Sequence, residues 1–269
     1  MKKILIIGKR SFIAKNLYKN FNNKFKSKLI KFNQLNSVKK NINNFNYVIN
    51  CSINKNYIKK KYNKNFDNDF KIATLINNTK TKYIFLSSRK VYKSKPNIKE
   101  NSKLLPKSSY SRNKLITEKK LLKKFKKNLI ILRISNIIGN KSNKKNHLHH
   151  TFIDIFFDNA KKGFVLENKK QFKDFISIDK FCQIIIEIIQ KNLSGIYNVS
   201  IGEKIKINSI VAWLNFYNPK KFKILKTKKN IIRKKFYLNN KKLMSKIKTK
   251  NTKNDLKKYC LKLSKEKFA

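Results

Sequence analysis

Two side chains four residues apart, Tyr110 and Lys114, could together transfer a proton. Positions i and i+4 share one face of an α-helix, so the Lys114 ammonium can approach the Tyr110 phenol. A neighbouring positive charge stabilises the phenolate, which allows the tyrosine to act as general acid or base for a carbonyl/alcohol pair. Ser88 follows a buried strand, and its hydroxyl could bind the same substrate oxygen. These three residues are the candidate catalytic residues.

The Tyr-x-x-x-Lys spacing alone has little specificity in this chain. It occurs four times, which is about what 11 tyrosines and the abundance of lysine predict by chance. Context separates the copies, because only Tyr110 begins a predicted helix that follows a buried strand ending in serines. The other copies are Tyr57/Lys61, Tyr217/Lys221 and Tyr237/Lys241.

The turn after the first predicted strand could bind a dinucleotide. Gly8 is followed by Ser11 and Ala14 at the second and third positions of a three-glycine fingerprint. A glycine there lets the backbone amides of a helix N-terminus approach a pyrophosphate. An ordinary strand-to-helix turn explains this segment equally well. The candidate cofactor contacts of the turn are Gly8, Arg10, Ser11, Phe12 and Ile13.

The second predicted strand, 28–32, ends without an acidic residue. Sites that prefer NAD place a carboxylate there on the ribose 2′-hydroxyl, whereas the first acidic residue of this chain is Asp67. Arg10 and Lys31 could instead face a 2′-phosphate, and Arg10 is the more informative because arginine is rare in this chain. The sequence therefore favours NADP(H) over NAD, with Asn33 as a further candidate contact.

The periodicity predicts the elements that must position these residues. Continuous apolar runs alternate with helical patterns, which is typical of a doubly wound α/β fold with a parallel, Rossmann-like sheet. Ligands of such folds bind at the carboxyl ends of the strands. The predicted strands are 3–7, 28–32, 47–50, 83–87, 129–133, 174–178 and 195–199, and the predicted helices are 11–22, 66–78, 110–127, 151–161 and 179–191.

Within the lysine-rich helix, Leu115, Leu122 and Phe125 recur at helical spacing. This pattern favours a helix that covers the sheet and exposes a basic face. A membrane-surface or calmodulin-type segment is the alternative.

The formal net charge of +55 comes from 63 lysines and only five arginines, alongside 38 asparagines. Lysine and asparagine share AT-rich codons, so base composition explains the excess. A nucleic-acid-binding protein would show more arginine, and the lysines are spread along the whole chain. We therefore predict no nucleic-acid partner, keep polyanion binding as a weaker alternative, and expect the field to attract phosphorylated substrates.

The sequence also predicts a cytoplasmic protein without a membrane span. No apolar run approaches the ~18 residues of a spanning helix, and the first apolar run is too short for a signal peptide. Cys51, Cys182 and Cys260 lie far apart, which suits a reducing compartment. His147, His149 and His150 share one polar segment, for which a solvated loop is favoured over a metal site.

Seven segments, in their order and spacing, resemble the extended short-chain dehydrogenases/reductases, specifically the NAD-dependent epimerase/dehydratase family that acts on nucleotide sugars. They are IIGKRSFIAKNL (6–17), YVINCS (47–52), FLSSRKVY (85–92), SYSRNK (109–114), LRISNIIG (132–139), KDFISID (173–179) and GIYNV (195–199). The departures are the missing second and third glycines, and Lys173 where the family often has arginine.

This resemblance implies roles for individual residues. Ser88, Tyr110 and Lys114 would form the catalytic trio, with Tyr110 and Lys114 also touching the cofactor. Cys51 and Ser52 would contact the cofactor, and Ser88, Asn136 and Lys173 the substrate. It also implies a cofactor domain of residues 1–140 and 174–200, a small substrate lobe of residues 141–173 and 201–269, and a homodimer.

The family resemblance also bears on the reaction. Sugar 4,6-dehydratases of the family place an Asp-Glu pair just after the catalytic hydroxyl, where this chain has Arg89 and Lys90. These cations cannot replace a carboxylate base, so dehydration is not expected. We predict an NAD(P)-dependent reductase or 4-epimerase of a nucleotide-activated sugar, serving polysaccharide biosynthesis. A non-catalytic NAD(P)-binding protein of the same fold is the alternative.

Overall fold

The computed structural model describes residues 1–77, 80–139, 152–167, 172–219, 223–226 and 236–268. The three histidines and the polar loop that follows Gly139 therefore lie outside the described residues.

The strands and helices follow the predicted alternation closely. The strands are β1 Lys3–Ile7, β2 Lys26–Ile30, β3 Tyr47–Asn50, β4 Lys82–Ser88, β5 Leu129–Ile134, β6 Asn136–Ile138, β7 Phe164–Glu167, β8 Phe172–Lys173, β9 Phe175–Ser177, β10 Gly195–Val199, β11 Ile205–Lys206 and β12 Lys223–Lys226. The α-helices are α1 Phe12–Phe21, α2 Lys55–Lys59, α3 Asn68–Thr74, α4 Ser109–Phe125, α5 Phe152–Lys161, α6 Ile178–Gln190, α7 Ile207–Asn215, α8 Lys241–Met244 and α9 Lys253–Phe268.

Six parallel strands form the central sheet in the order β10-β5-β4-β3-β1-β2. The chain winds outward from β1 to β2, then returns to place β3 on the other side of β1. The connection after β1 therefore leads to one side of the sheet and the connection after β3 to the other. Doubly wound sheets bind ligands at such a switch point, here between β1 and β3. The predicted fold class is confirmed.

Both faces of the sheet are buried, as the continuous apolar strands predict. On β1, Ile4 and Ile6 pack in the cluster that contains α1 and α6. Leu5 and Ile7 pack in the opposite cluster, with α3 and α4. The carboxyl ends of these strands are thereby fixed in one plane between two layers of helices.

The prediction for α4 is partly wrong. The helix does cover the sheet and packs against β4, α2 and α3, but Leu122 is 39 % exposed. The buried stripe runs instead through Lys114, Glu118, Leu121 and Phe125. Its first half is polar, so hydrophobic spacing alone could not find it.

A third hydrophobic cluster is built from residues that follow β5 in the chain. In it, residues of α5, α7 and α9 cluster with Phe175 of β9. Part of the carboxyl-terminal segment returns to the sheet, since Leu243 and Ile247 join the cluster around α1 and α6. The division into a cofactor domain and a substrate lobe remains a prediction. Within the described ranges, no helix has the length and apolar character to span a membrane.

Candidate active site at the carboxyl edge of the sheet

Gly8 lies where backbone segments approach too closely for any side chain. Its φ is +110°, and a Cβ atom added there would lie 2.8 Å from the Ser52 nitrogen and 2.9 Å from the Cys51 carbonyl carbon. The turn after β1 therefore touches the segment after β3, at the switch point of the sheet. Cys51 and Ser52, predicted as cofactor contacts, line the same crevice as the Gly8 turn.

The N-terminus of α1 opens directly from this turn. Ser11 donates its backbone amide to the Gly8 carbonyl at 2.7 Å, and its hydroxyl makes no capping bond. The amides of the first helical turn have no partner within the helix, so those of Phe12 and Ile13 are the predicted contacts with an anion. The Phe12 ring packs close to Gly139, where a Cβ would lie 2.2 Å from its Cζ.

Basic side chains lie after the carboxyl end of β2 and in the turn after β1. β2 ends at Ile30, two residues before the predicted end, so Lys31 directly follows the strand. Lys31 and Asn33 are exposed, and Asn33 lies in the 3₁₀ helix Phe32–Asn44 rather than at the strand end. Arg10 is exposed in the neighbouring turn. The first acidic residue of the sequence is Asp67, so no carboxylate follows closely after the carboxyl end of β2 in the sequence.

Lys90 contacts Ser88 through its backbone amide and Tyr110 through its ammonium. Ser88 ends β4, and its hydroxyl accepts a bond from the Lys90 amide at 3.2 Å. The Lys90 ammonium lies 5.6 Å from the centroid of the Tyr110 ring. Tyr110 stands in the first turn of α4, after the Ser108 cap. The Lys90 ammonium is thus a cation beside Tyr110, the candidate acid.

Lys114 has a different principal neighbour from the one expected. Its ammonium lies 3.6 Å from a carboxylate oxygen of Asp69 and 4.4 Å from the centroid of the Phe85 ring. Asp69 is buried at the start of α3. Sequence reasoning did not select Asp69. The signal that could have found it is its position two residues after Asp67, the first acidic residue of an acid-poor chain.

The Tyr57/Lys61 spacing is a chance match, but Tyr57 itself is part of the site's support. Its hydroxyl lies 2.7 Å from the Thr117 hydroxyl, and its ring centroid lies 5.7 Å from the Lys114 ammonium. Thr117 also donates to the buried Asp67 carboxylate at 2.6 Å. Tyr57 is therefore unsuitable as a neutral control for Tyr110.

A buried ion pair fixes α4 to the sheet. Arg133 on β5 donates to both oxygens of Glu118, at 2.7 Å through Nη2 and 3.1 Å through Nε. Ser87 donates its hydroxyl to the same carboxylate. Burial alone would lower the pKa of Arg133, but hydrogen bonding and the charge of Glu118 raise it above the ordinary value. This pair maintains the position of Ser88 relative to α4.

The candidate substrate contacts lie beside Asp174. Asn136 donates its side-chain amide to the Asp174 backbone carbonyl at 2.8 Å, and Lys173 is the preceding residue on β8. The Asp174 carboxylate is buried and accepts the Leu238 amide at 2.9 Å. Burial raises the pKa of Asp174 to about 7, although this bond opposes the shift.

Arg89 packs against the carboxyl-terminal segment of the chain. Its guanidinium carbon lies 3.4 Å from the centroid of the Phe236 ring. Burial lowers the pKa of Arg89 to about 10, and the charge of Asp174 opposes this. Arg89 therefore connects the turn after Ser88 to the carboxyl-terminal segment. Among the described residues, no group of three or more His, Cys, Asp or Glu could hold a metal ion.

The fold and the strand-end site define a nucleotide-binding enzyme class. Residues 4–200 match the family model of the NAD dependent epimerase/dehydratase family. The chain belongs to this family, and the predicted resemblance is confirmed. A comparison with curated proteins gives no match.

Solved structures share the fold over nearly the whole chain. UDP-N-acetylglucosamine 4-epimerase from Methanobrevibacter ruminantium M1 superposes with a TM-score of 0.80 at 21 % identity, covering 98 % of this chain and 97 % of the other. A dTDP-4-dehydrorhamnose reductase from Clostridium acetobutylicum gives 0.74 at 17 %, covering 96 % and 98 %. A dTDP-glucose 4,6-dehydratase from Bacillus anthracis, in complex with NAD, gives 0.73 at 15 %, covering 98 % and 96 %. One fold carries three reactions, so the fold alone does not select among them.

The first prediction concerns Asp174 and pH. An unfolded aspartate titrates near pH ~3.9, whereas the pKa of Asp174 is raised to about 7. Between these values the native state holds a proton that the unfolded chain has lost, so this group costs stability as pH rises from 4 to 7. Asp174→Asn keeps an acceptor for the Leu238 amide and removes the titration. Relative to the variant, wild type should lose up to ~4 kcal/mol of unfolding free energy across this range.

Urea unfolding of both proteins at several pH values measures this difference. The Asp179→Asn variant, altered at an acidic residue close by in sequence, provides the comparison. A wild-type-minus-Asp174→Asn difference that stays flat between pH 4 and 7 contradicts the prediction.

Proposed function

We propose that the protein is an NAD(P)-dependent reductase or 4-epimerase of a nucleotide-activated sugar. The observation that carries this proposal is the convergence, at one sheet edge, of the Gly8 turn with Ser88, Tyr110 and Lys114. The Gly8 turn would hold a dinucleotide, whose nicotinamide would supply or accept hydride. Tyr110 would exchange the proton of the sugar oxygen, and Ser88 would hold that oxygen.

The residues present fit a dinucleotide. Gly8 lets the turn after β1 pack directly on the backbone after β3, since an added Cβ would lie 2.8 Å from the Ser52 nitrogen. The first-turn amides of α1 carry partial positive charge suited to a pyrophosphate. Gly8, Ser11, Phe12, Ile13, Cys51 and Ser52 would hold the dinucleotide, with Arg10 and Asn33 at its adenosine end.

Dehydration is not part of the proposal. Arg89 is stacked on Phe236, and Lys90 carries its ammonium beside Tyr110. Neither supplies the carboxylate base that removal of water from a sugar requires. Hydride transfer needs only Ser88, Tyr110 and Lys114.

A second candidate is a non-catalytic NAD(P)-binding protein of the same fold. Ser11 and Ala14 stand where the fingerprint has glycine, and this erosion favours it. For either candidate we propose a cytoplasmic protein, with Asn136 and Lys173 on the substrate and a homodimer formed through α4.

The cofactor preference is testable by calorimetry at physiological salt. NADPH should bind more tightly than NADH, because Arg10 and Lys31 stand where a carboxylate would select the ribose hydroxyl. Arg10→Ala should narrow the difference, since it removes a charge-assisted contact worth roughly 1.5–3 kcal/mol. Lys15→Ala, which removes an exposed cation from the adjoining helix α1, is the control. A clear NADH preference contradicts the assignment.

The exclusion of dehydration is tested by product analysis. Incubation with NAD and common nucleotide hexoses should yield no 4-keto-6-deoxy sugar, because the two residues after Ser88 are Arg89 and Lys90 rather than carboxylates. The B. anthracis dehydratase serves as positive control. Accumulation of that product would show that another group acts as the base.

The role of Tyr110 separates the enzyme from the binding protein. Tyr110→Phe keeps the ring and removes the hydroxyl, so turnover of a 4-keto nucleotide sugar with NADPH should fall by ~10²–10⁴. Cofactor affinity should change little. The measurement is the initial rate of NADPH oxidation, with NADPH affinity measured in parallel.

Tyr217→Phe and Tyr237→Phe are the matched controls, since both alter chance copies of the spacing and Tyr217 is 43 % exposed. Turnover that survives Tyr110→Phe would refute the catalytic assignment. Cofactor binding without turnover in wild type would favour the non-catalytic protein.

A further inference from the structure

Lys114 is held by a carboxylate that is itself fixed by the sheet. The ammonium lies 3.6 Å from Oδ2 of Asp69, and the side chains are 7 % and 6 % exposed. Oδ1 of Asp69 accepts the Tyr83 hydroxyl at 2.9 Å, and the Asn50 side chain also bonds this carboxylate. Asp69 is therefore anchored from β4 and from the end of β3.

The remaining surroundings of the ammonium are aromatic. The ring centroids of Phe85 and Tyr57 lie 4.4 Å and 5.7 Å from it. Such rings favour a cation but replace its water with an apolar environment. Asp69 supplies the negative charge that this environment lacks.

Several titratable groups face the pair from the elements packed around it. They are Asp67 before α3, Tyr57 on α2, Tyr83 on β4, Cys51 after β3, and Tyr110 on α4 beside Tyr57. Burial raises the pKa of Asp69, the charge of Lys114 lowers it, and the charge of Asp67 raises it. Among these groups Lys114 is the only cation.

We propose that Asp69 is a positioning residue that holds the Lys114 ammonium beside β4, from where it acts on Tyr110 and on a bound dinucleotide. The inference rests on the proposed function, which gives Lys114 that role. Asp69 itself is assigned no contact with the reacting atoms.

The physical argument concerns a buried charge. An ammonium removed from water loses its proton more readily, and an opposite charge within a few ångströms prevents this. Lysine is also flexible, with four rotatable bonds in its stem. A carboxylate fixed by Tyr83 and Asn50 selects one position for the ammonium, so the entropy of holding it there is lost before any ligand binds.

The test is Asp69→Asn, which preserves shape and removes the charge. Turnover with NADPH and a 4-keto nucleotide sugar should fall about 10- to 100-fold at neutral pH, as expected when a catalytic group is misplaced. NADPH affinity, measured by calorimetry, should also fall.

Asp67→Asn is the matched control. Asp67 is also buried, but it bonds Thr117 and Tyr62 rather than Lys114, and asparagine preserves the cap of α3. The charge of Asp67 raises the pKa of Asp69, so its removal should favour the ionised Asp69 carboxylate that holds Lys114. NADPH affinity should therefore not fall in Asp67→Asn, whatever happens to stability. If Asp69→Asn behaves like this control, Asp69 is structural only and the proposal is wrong.

Lys114→Met and the double variant supply readouts that need no turnover. Asp69→Asn should not weaken NADPH binding further in the Lys114→Met background, because Asp69 acts through Lys114. The urea midpoint lost in Lys114→Met should partly recover in the double variant, since a buried, unpaired carboxylate is removed. Independent, additive losses of NADPH affinity overturn the proposal. Absence of turnover in wild type would count against the reductase alone.

Discussion

The candidate site depends on the buried ion pair between Arg133 on β5 and Glu118 on α4. Glu118 lies one turn from Lys114, which lies one turn from Tyr110, so all three share a face of the helix. The bond that holds α4 to the sheet therefore also sets the position of both candidate catalytic residues. Breaking such a pair leaves an uncompensated buried charge at a cost of roughly 3–5 kcal/mol. Rotation or sliding of α4 is opposed by that cost.

Two of the few acidic residues of this chain, Asp69 and Glu118, act as internal counter-ions. The sequence has 13 acidic residues against 68 lysines and arginines, yet the buried side chains include Asp67, Asp69, Glu118 and Asp174. Asp69 and Glu118 each hold a buried cation of the site. Surface lysines are screened by solvent and salt. The electrostatics of the site therefore come from a few buried pairs rather than from the large net charge.

Most of the sheet could be predicted from the sequence, because continuous apolar runs leave few alternatives. The exception is β2, where Lys26 and Lys28 are exposed on an edge strand. The apolar residues Leu29, Ile30 and Phe32 therefore placed the predicted strand two residues too late. The polar face of α4 was also missed. Lys114 and Glu118 are buried because they form ion pairs with Asp69 and Arg133 on other elements. Hydrophobic spacing within α4 contains no information about these partners.

The same reasoning explains which part of the candidate site the sequence could reveal. Gly8, Ser52 and Ser88 follow strands, and parallel strands bring their carboxyl ends to one edge whatever lies between them. Spacing along α4 places Tyr110 near Lys114 but says nothing of α3, which carries Asp69 to the same ammonium. That contact exists because α3 packs on α4. The position of the Lys114 ammonium thus depends on helix packing, which a motif within one helix cannot encode.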